Sequence, residues 1–332
     1  MTIQKIGVVG GGAWGTALAA AMQRSGRDVL LWAYEADTVK EINSAHENGT
    51  YLPGIMLDPA LRATGDLAEI AARDAILMVT PAQHTRAIAG QLAGLLPNTR
   101  PLVLCAKGIE QGTRQLMSQV AEEAVPQAVV AVLSGPSFAS EVAQGLPAAL
   151  TLACEDEKLG AELALAIGHS SFRPYWSRDV VGAQIGGAIK NVLAIAAGIV
   201  RGRKLGSNAH AAIVTRGFSE MVRFGTSLGA KPETLTGLSG LGDLILTCGS
   251  PQSRNMSLGI ALGEGQTLDE VLGARKSVSE GVFTAYAVEE IAAEKNLDLP
   301  ICTAVHAVVS GEASVDEAIT ELLARPLRAE QG

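Results

Sequence analysis

Up to about residue 176, short apolar runs alternate with longer stretches of helical spacing. The runs at 3–9, 28–32, 75–79, 102–105, 129–133 and 148–153 are brief and mostly apolar, and 172–175 reads as a last short strand. That pattern suits strands covered on both faces, as in a mostly parallel sheet, better than amphipathic helices. An alanine-rich stretch at 16–25 reads as the helix joining the first two strands. Beyond Trp176 the short runs stop, and 182–200, 209–228 and the chain from about 281 to 323 carry helical spacing. A glycine-bearing stretch at 237–255 reads as loop-rich, and 201–207 reads as a basic loop between helices. The expected fold is an α/β N-terminal domain with a doubly wound, mostly parallel sheet, followed by an all-α C-terminal domain. The expected division is 1–177 and 178–332, with no flexible Ser/Gly linker between them.

The run at 182–200 (GAQIGGAIKNVLAIAAGIV) is apolar all round except for Gln184, Lys190 and Asn191. It reads as a buried helix; by length it could cross a bilayer, but the three polar residues and its several glycines favour a protein interior. Helical side chains lean over the residues three and four positions back, which for Lys190 are Gly187 and Gly186. Two glycines inside a helix cost roughly 1 kcal/mol each relative to alanine. Their presence is explained if space beside the ammonium group is kept open for a ligand. Desolvation is then expected to lower the Lys190 pKa into a range useful for proton transfer. The competing reading is a lysine that merely lays its stem along apolar surface.

The first run leads into GGGAWG at 10–15, then the helix and the second strand, all within about thirty residues. In a G-x-G-x-x-G turn of this context, Gly10 makes the tight turn and Gly12 lets a pyrophosphate approach. Gly15 lets helix and strand pack closely, and the helix N-terminus favours the anion. A dinucleotide is the expected ligand. After the second strand, Tyr34, Glu35 and Asp37 offer a phenol and two acids but no cation, which leans toward NAD over NADP. Strand ends in such sheets carry ligands, so Lys107, after the run at 102–105, suits a phosphate or carbonyl, against the plainer reading of a solvated lysine. The turn SGPSFA at 134–139 could present backbone N–H groups to an anion or a cofactor amide. Asp243 has two open readings, a helix N-cap or a partner that orients Lys190. Arg254 beside Asn255 suits phosphate oxygens.

The net charge of −8 and the absence of a basic block argue against a nucleic-acid partner. Four scattered cysteines, without a CxxC pair, fit reduced thiols in the cytoplasm, and the five histidines show no metal-ligand spacing. The N-terminus enters a strand at once, with no secretory pattern.

Several stretches together carry a family pattern: GGGAWGTALA, AKGIE, SGPSFASEVAQGLPAAL, IGGAIKNVLAIAAG, TRGFSEM, GLSGLGDLILTC, SRN and SEG, in this order. The sequence resembles the NAD(P)-dependent glycerol-3-phosphate dehydrogenases over nearly its whole length. The resemblance implies a Rossmann domain with an all-helical partner domain, and reversible reduction of dihydroxyacetone phosphate to sn-glycerol 3-phosphate, which supplies the phospholipid backbone. It implies Lys190 as proton donor and acceptor, with Asp243 nearby and Asn191 orienting the substrate. Lys107, Gly135 and Ser137 would touch substrate, and Ser253, Arg254 and Asn255 would hold its phosphate end. The cofactor, NADP or NAD, would meet Gly10, Gly12, Ala13, Trp14, Gly15, Tyr34, Tyr51, Lys107, Ala139, Arg254, Val278 and Glu280. The partner is a small phosphorylated substrate, with no integral membrane segment; a homodimer stays open as the assembly.

The chain departs from the family pattern in two places. Tyr34 stands where NADP-using relatives commonly have a basic residue or histidine, and 201–207 is more basic than in relatives. Rival readings are another hydroxyacid or sugar-phosphate dehydrogenase of the same layout, a nicotinamide-binding redox sensor, and a helical scaffold. A sensor has no need of Lys107, Lys190, Asp243 and Arg254 together, and a scaffold leaves the glycine turn unexplained.

Overall fold

In the computed structural model, which describes residues 3–96, 99–273, 279–327 and 329, eight strands form one sheet. They are β1 (Lys5–Val9), β2 (Asp28–Trp32), β3 (Arg62–Thr64), β4 (Ala75–Met78), β5 (Pro101–Leu104), β6 (Val129–Ser134), β7 (Ala148–Cys154) and β8 (Phe172–Ser177). The spatial order is β3-β2-β1-β4-β5-β6-β7-β8, parallel except between β6 and β7. Ile6, Val8, Leu31, Ile76, Leu77 and Val103 are buried, the both-faces burial that a uniformly apolar strand requires. Helices α1 (Ala13–Arg24), α2 (Ala36–Ala45), α3 (Leu67–Ala71), α4 (Thr85–Ala93), α5 (Met117–Ala124), α6 (Ala139–Ala143) and α7 (Glu157–Ile167) connect the strands. The chain order reverses between β1 and β4, so a crevice opens at their carboxyl ends, the place where open α/β sheets bind ligands.

The elements among the remaining described residues are helical: α8 (Val180–Gly202), α9 (Gly206–Ser227), α10 (Pro232–Leu235), α11 (Asp243–Gly249), α12 (Arg254–Gly263), α13 (Leu268–Gly273), α14 (Glu280–Lys295), α15 (Pro300–Ser310) and α16 (Val315–Leu323). The long helix α8 is buried at every residue from 182 to 200. It is the one described helix long and apolar enough to cross a membrane, and it is wrapped by protein along its length. Asp179 starts it by accepting from Gly182 N at 2.8 Å and from Lys231 N at 2.8 Å, which satisfies an end donor and ties α10 to the same point. From there α8 packs first on β6 and β7, then against α9, α11, α12 and α14.

The basic loop is shorter than expected. The helices on either side extend into it, leaving residues 203–205 between them. The stretch 237–255 is also not loop-rich. A π-helical turn (Leu238–Gly242) runs directly into α11, and α12 follows after four residues. Glycine lowers intrinsic helix propensity, but here it permits close packing, which outweighs that preference. A side chain at Gly240 would collide with Leu235 O, and one at Gly186 of α8 with Ser239 O. The same device joins α8 to α12, where side chains at Gly198 and Gly259 would run into the facing backbone at Met256 O and Ile195 O.

Candidate active site

Three charged side chains meet where α8 passes the sheet. Asp243, the first residue of α11, is fully buried and turns both carboxylate oxygens to lysines. Lys190 Nζ donates to Oδ1 at 2.6 Å and Lys107 Nζ donates to Oδ2 at 2.7 Å. Of the two local readings of Asp243, its side chain therefore takes the one that engages Lys190. Lys190 also donates to Thr247 Oγ1 at 2.9 Å, and Lys107 to Gly135 O at 2.9 Å. Burial pushes the Lys190 ammonium down from the usual lysine range to about 8; the Asp243 carboxylate opposes this and Lys107 adds to it. Lys190 thus holds an exchangeable proton near neutral pH, gripped by two oxygens that fix its direction.

The glycines beneath Lys190 do not leave an empty space. Backbone of Ser239 and Gly240 lies over Gly186, while Ser134 Oγ and the Lys107 stem lie over Gly187. The room they make is filled by the π-helical turn and by the second lysine. Their function is therefore to bring Asp243 and Lys107 up to Lys190.

An amide chain braces this cluster. Asn191 Nδ2 donates to Lys107 O at 2.9 Å, and Asn191 Oδ1 accepts from Asn255 Nδ2 at 2.9 Å. Asn255 Oδ1 in turn accepts from Gly281 N at 3.0 Å. These contacts link α8, α12, α14 and the Lys107 loop, so both asparagines are at least partly committed to holding the frame. Ser253 Oγ accepts from Met256 N at 3.2 Å and caps α12. Arg254 follows as the first residue of α12, on the surface and close enough to Glu280 to feel its charge. Ser137 Oγ donates to Gly135 O at 3.0 Å. Gly135 itself has φ +147°, and a side chain there would press on Leu150 Cα.

The glycine turn after β1 lies in the same crevice. Gly10 has φ +127°, and a side chain on Gly15 would strike Gly10 O, so turn and helix close tightly. A Cβ on Gly12 would meet nothing within 4 Å, leaving an open face of backbone at the start of α1. The buried Trp14 indole N–H has no acceptor among the described residues. Glu280 Oε1 accepts from Ala82 N at 3.0 Å, whereas its buried Oε2 has no hydrogen-bond partner among the described residues. An open phosphate cradle and two orphaned polar atoms fit a dinucleotide bound along this crevice. Ala13 and Ala139 begin α1 and α6. Tyr34 is 82% exposed and meets Trp32 edge-on, and the Tyr51 hydroxyl donates to Glu35 Oε1 at 3.2 Å. Val278 lies outside the described residues.

Thr247 is the site residue that sequence reasoning did not single out. Its signal is the four-residue spacing from Asp243, which puts both on one face once the segment is helical.

Family models described as NAD-dependent glycerol-3-phosphate dehydrogenase N-terminus and C-terminus match residues 5–160 and 179–320. A glycerol-3-phosphate dehydrogenase (NAD(P)+) of Parvibaculum lavamentivorans is 59% identical over 99% of this chain and 99% of its own. One of Caulobacter vibrioides is 56% identical over 99% and 100%. The crystal structure of glycerol-3-phosphate dehydrogenase from Coxiella burnetii superposes with a TM-score of 0.93 at 38% identity, covering 98% of this chain and 100% of that one. Set beside the buried Lys190–Asp243–Lys107 cluster and the glycine turn, these likenesses show that the chain belongs to the NAD-dependent glycerol-3-phosphate dehydrogenase family.

Proposed function

We propose that this protein reduces dihydroxyacetone phosphate to sn-glycerol 3-phosphate, reversibly, and so supplies the glycerol phosphate backbone of phospholipids. The observation that carries the reading is the buried Lys190, bonded to Asp243 and Thr247 and brought to about 8, beside a dinucleotide turn. The nicotinamide, when bound, supplies or accepts the hydride at the substrate's central carbon. Lys190 donates a proton to the carbonyl oxygen during reduction and removes it from the alcohol during oxidation. Asp243 and Thr247 fix the direction of Nζ, and Lys107 keeps the site cationic toward the developing alkoxide. Gly135 and Ser137 border the substrate, and Ser253, Arg254 and Asn255 hold its phosphate. That remote anchor positions the reacting carbon. Gly10, Gly12, Ala13, Trp14, Gly15, Tyr34, Tyr51, Lys107, Ala139, Arg254 and Glu280 hold the dinucleotide.

In this reading, residues 1–177 form the cofactor domain and 178–332 the substrate domain; the last strand ends at Ser177 and α8 starts at Val180. The four free, buried cysteines support a reducing, cytoplasmic setting. The test is oxidation of NADH and NADPH in parallel, with dihydroxyacetone phosphate and with unphosphorylated dihydroxyacetone. Turnover of the phosphorylated ketone alone supports the proposal; equal turnover of both ketones, or of neither, contradicts it. Replacing Arg254 by Ala is expected to raise KM for the ketone by roughly 10- to 100-fold, with a smaller effect on kcat, as for loss of a charge-assisted phosphate contact. Steady-state kinetics at saturating cofactor separate the two parameters.

A further inference from the structure

Resting on the dinucleotide reading of the crevice, we infer that the chain selects NAD(H) over NADP(H), and that Glu35, held by Tyr51, is the residue that makes the choice. Val9 of β1 pairs with Trp32 of β2, and Gly10 N donates to Trp32 O at 3.0 Å, so the chain beyond β2 emerges beside the glycine turn. Ala33 lies directly against Gly11. Tyr34 and Glu35 follow at the rim, and both are exposed. This is where the adenosine ribose of a dinucleotide lies in a doubly wound sheet, and where an acid accepts from a 2′-hydroxyl or a cation holds a 2′-phosphate.

Glu35 is not a loosely placed surface acid. Asn48, fully buried, donates to Gly11 O and to Thr16 Oγ1, each at 2.8 Å, which fastens the segment after α2 to the glycine turn. Asn48 Oδ1 accepts from Tyr51 N at 3.2 Å, and the Tyr51 hydroxyl reaches Glu35 Oε1 at 3.2 Å. The hydroxyl therefore holds the carboxylate at the rim and keeps it from swinging away from an incoming group. From residue 34 to residue 51 the acids are Glu35, Asp37, Glu41 and Glu47, against the single cation Lys40. A ribose 2′-hydroxyl can donate to such a carboxylate. A 2′-phosphate has no proton to offer at neutral pH and brings like charge, so discrimination comes from repulsion as well as from a lost hydrogen bond.

The test is equilibrium binding of NAD+ and NADP+ by calorimetry to the wild-type chain, Glu35→Gln and Tyr51→Phe, with turnover of dihydroxyacetone phosphate followed in parallel. The wild type is expected to bind NAD+ at least about tenfold more tightly, and the ratio should shrink with added salt, because repulsion at an exposed rim is screened. Glu35→Gln should tighten NADP+ by about tenfold while weakening NAD+ only about threefold. Tyr51→Phe should move the ratio in the same direction, but less. Equal affinity of the wild type for both cofactors, or a Glu35→Gln change that shifts both alike, would overturn the role of Glu35. Clear NAD+ selectivity without turnover would instead count against the proposed reaction alone.

Discussion

Lys190→Ala is expected to lose about 10³- to 10⁵-fold in kcat for dihydroxyacetone phosphate while binding NADH as the wild type does. The loss combines two effects. The substrate oxygen loses its proton donor, and the developing alkoxide loses a buried positive charge. Cofactor binding should survive, because no hydrogen bond or ion pair of Lys190 involves the glycine turn; its partners are Asp243 and Thr247. Folding should survive as well, since Asp243 keeps Lys107 at 2.7 Å and so is not left as a buried charge without a counterion. Lys190→Met, which preserves the stem, separates lost packing from lost chemistry. If the methionine variant retained near-normal turnover, the proton would have to come from elsewhere. Rapid-mixing fluorescence of bound NADH, beside steady-state turnover, provides both readouts.

The second large effect is expected at Asp243. Asp243→Asn leaves two ammonium groups facing a neutral amide, at positions where contacts of 2.6 and 2.7 Å now neutralise part of their charge. Removing one partner of a buried ion pair costs about 3–5 kcal/mol, because the remaining charge stays desolvated. The direction of the pH effect follows from the same group. Asp243 raises the Lys190 pKa, so its loss lowers that pKa further below the unfolded-state value. Between the folded and unfolded pKa values the unfolded chain binds more protons, so stability rises with pH across that interval. The variant should therefore be markedly less stable than wild type near pH 7 and recover part of the loss as pH rises toward 10. Chemical denaturation at several pH values measures this. A stability difference that did not change between pH 7 and 10 would mean that the lysines are not carrying the strain. Activity should fall alongside stability, because a lower Lys190 pKa leaves less of the ammonium form at pH 7 to donate the proton.

Much of this arrangement was legible from the chain alone, and the parts that were not share a cause. Most of the strands announced themselves as apolar runs because both their faces are buried, with Ile6, Leu77 and Val103 inaccessible to solvent, whereas the edge strand β8 keeps Arg173 and Tyr175 exposed. The missing strand, β3, is three residues long, and its sequence RAT has neither length nor alternation to give it away. The helix carrying Lys190 was readable because a helix with no solvent face must be apolar all round. The turn before Asp243 was not, because its glycines look like loop until their contacts with α8 and α10 are known. The contact with α8, Gly186 against Ser239 and Gly240, spans about fifty residues of chain, which local propensity does not record. The same applies to the site itself. Lys107 and Asp243 are 136 positions apart, and Asn191 reaches Lys107 across 84. Local sequence left Asp243 with two equal roles, and only the tertiary contact decides between them. The glycines under Lys190 were correctly tied to the lysine, but for the wrong tenant: protein atoms occupy the space reserved there for a ligand.

The central claim, that Lys190 exchanges a proton with the substrate oxygen from a pKa near 8, is tested most directly by pH profiles of kcat/KM in both directions. Ketone reduction needs the ammonium form and alcohol oxidation needs the free amine. The account predicts that reduction falls and oxidation rises through one shared ionisation near pH 8. Profiles that stay flat across that pH, or that move together in both directions, would contradict it.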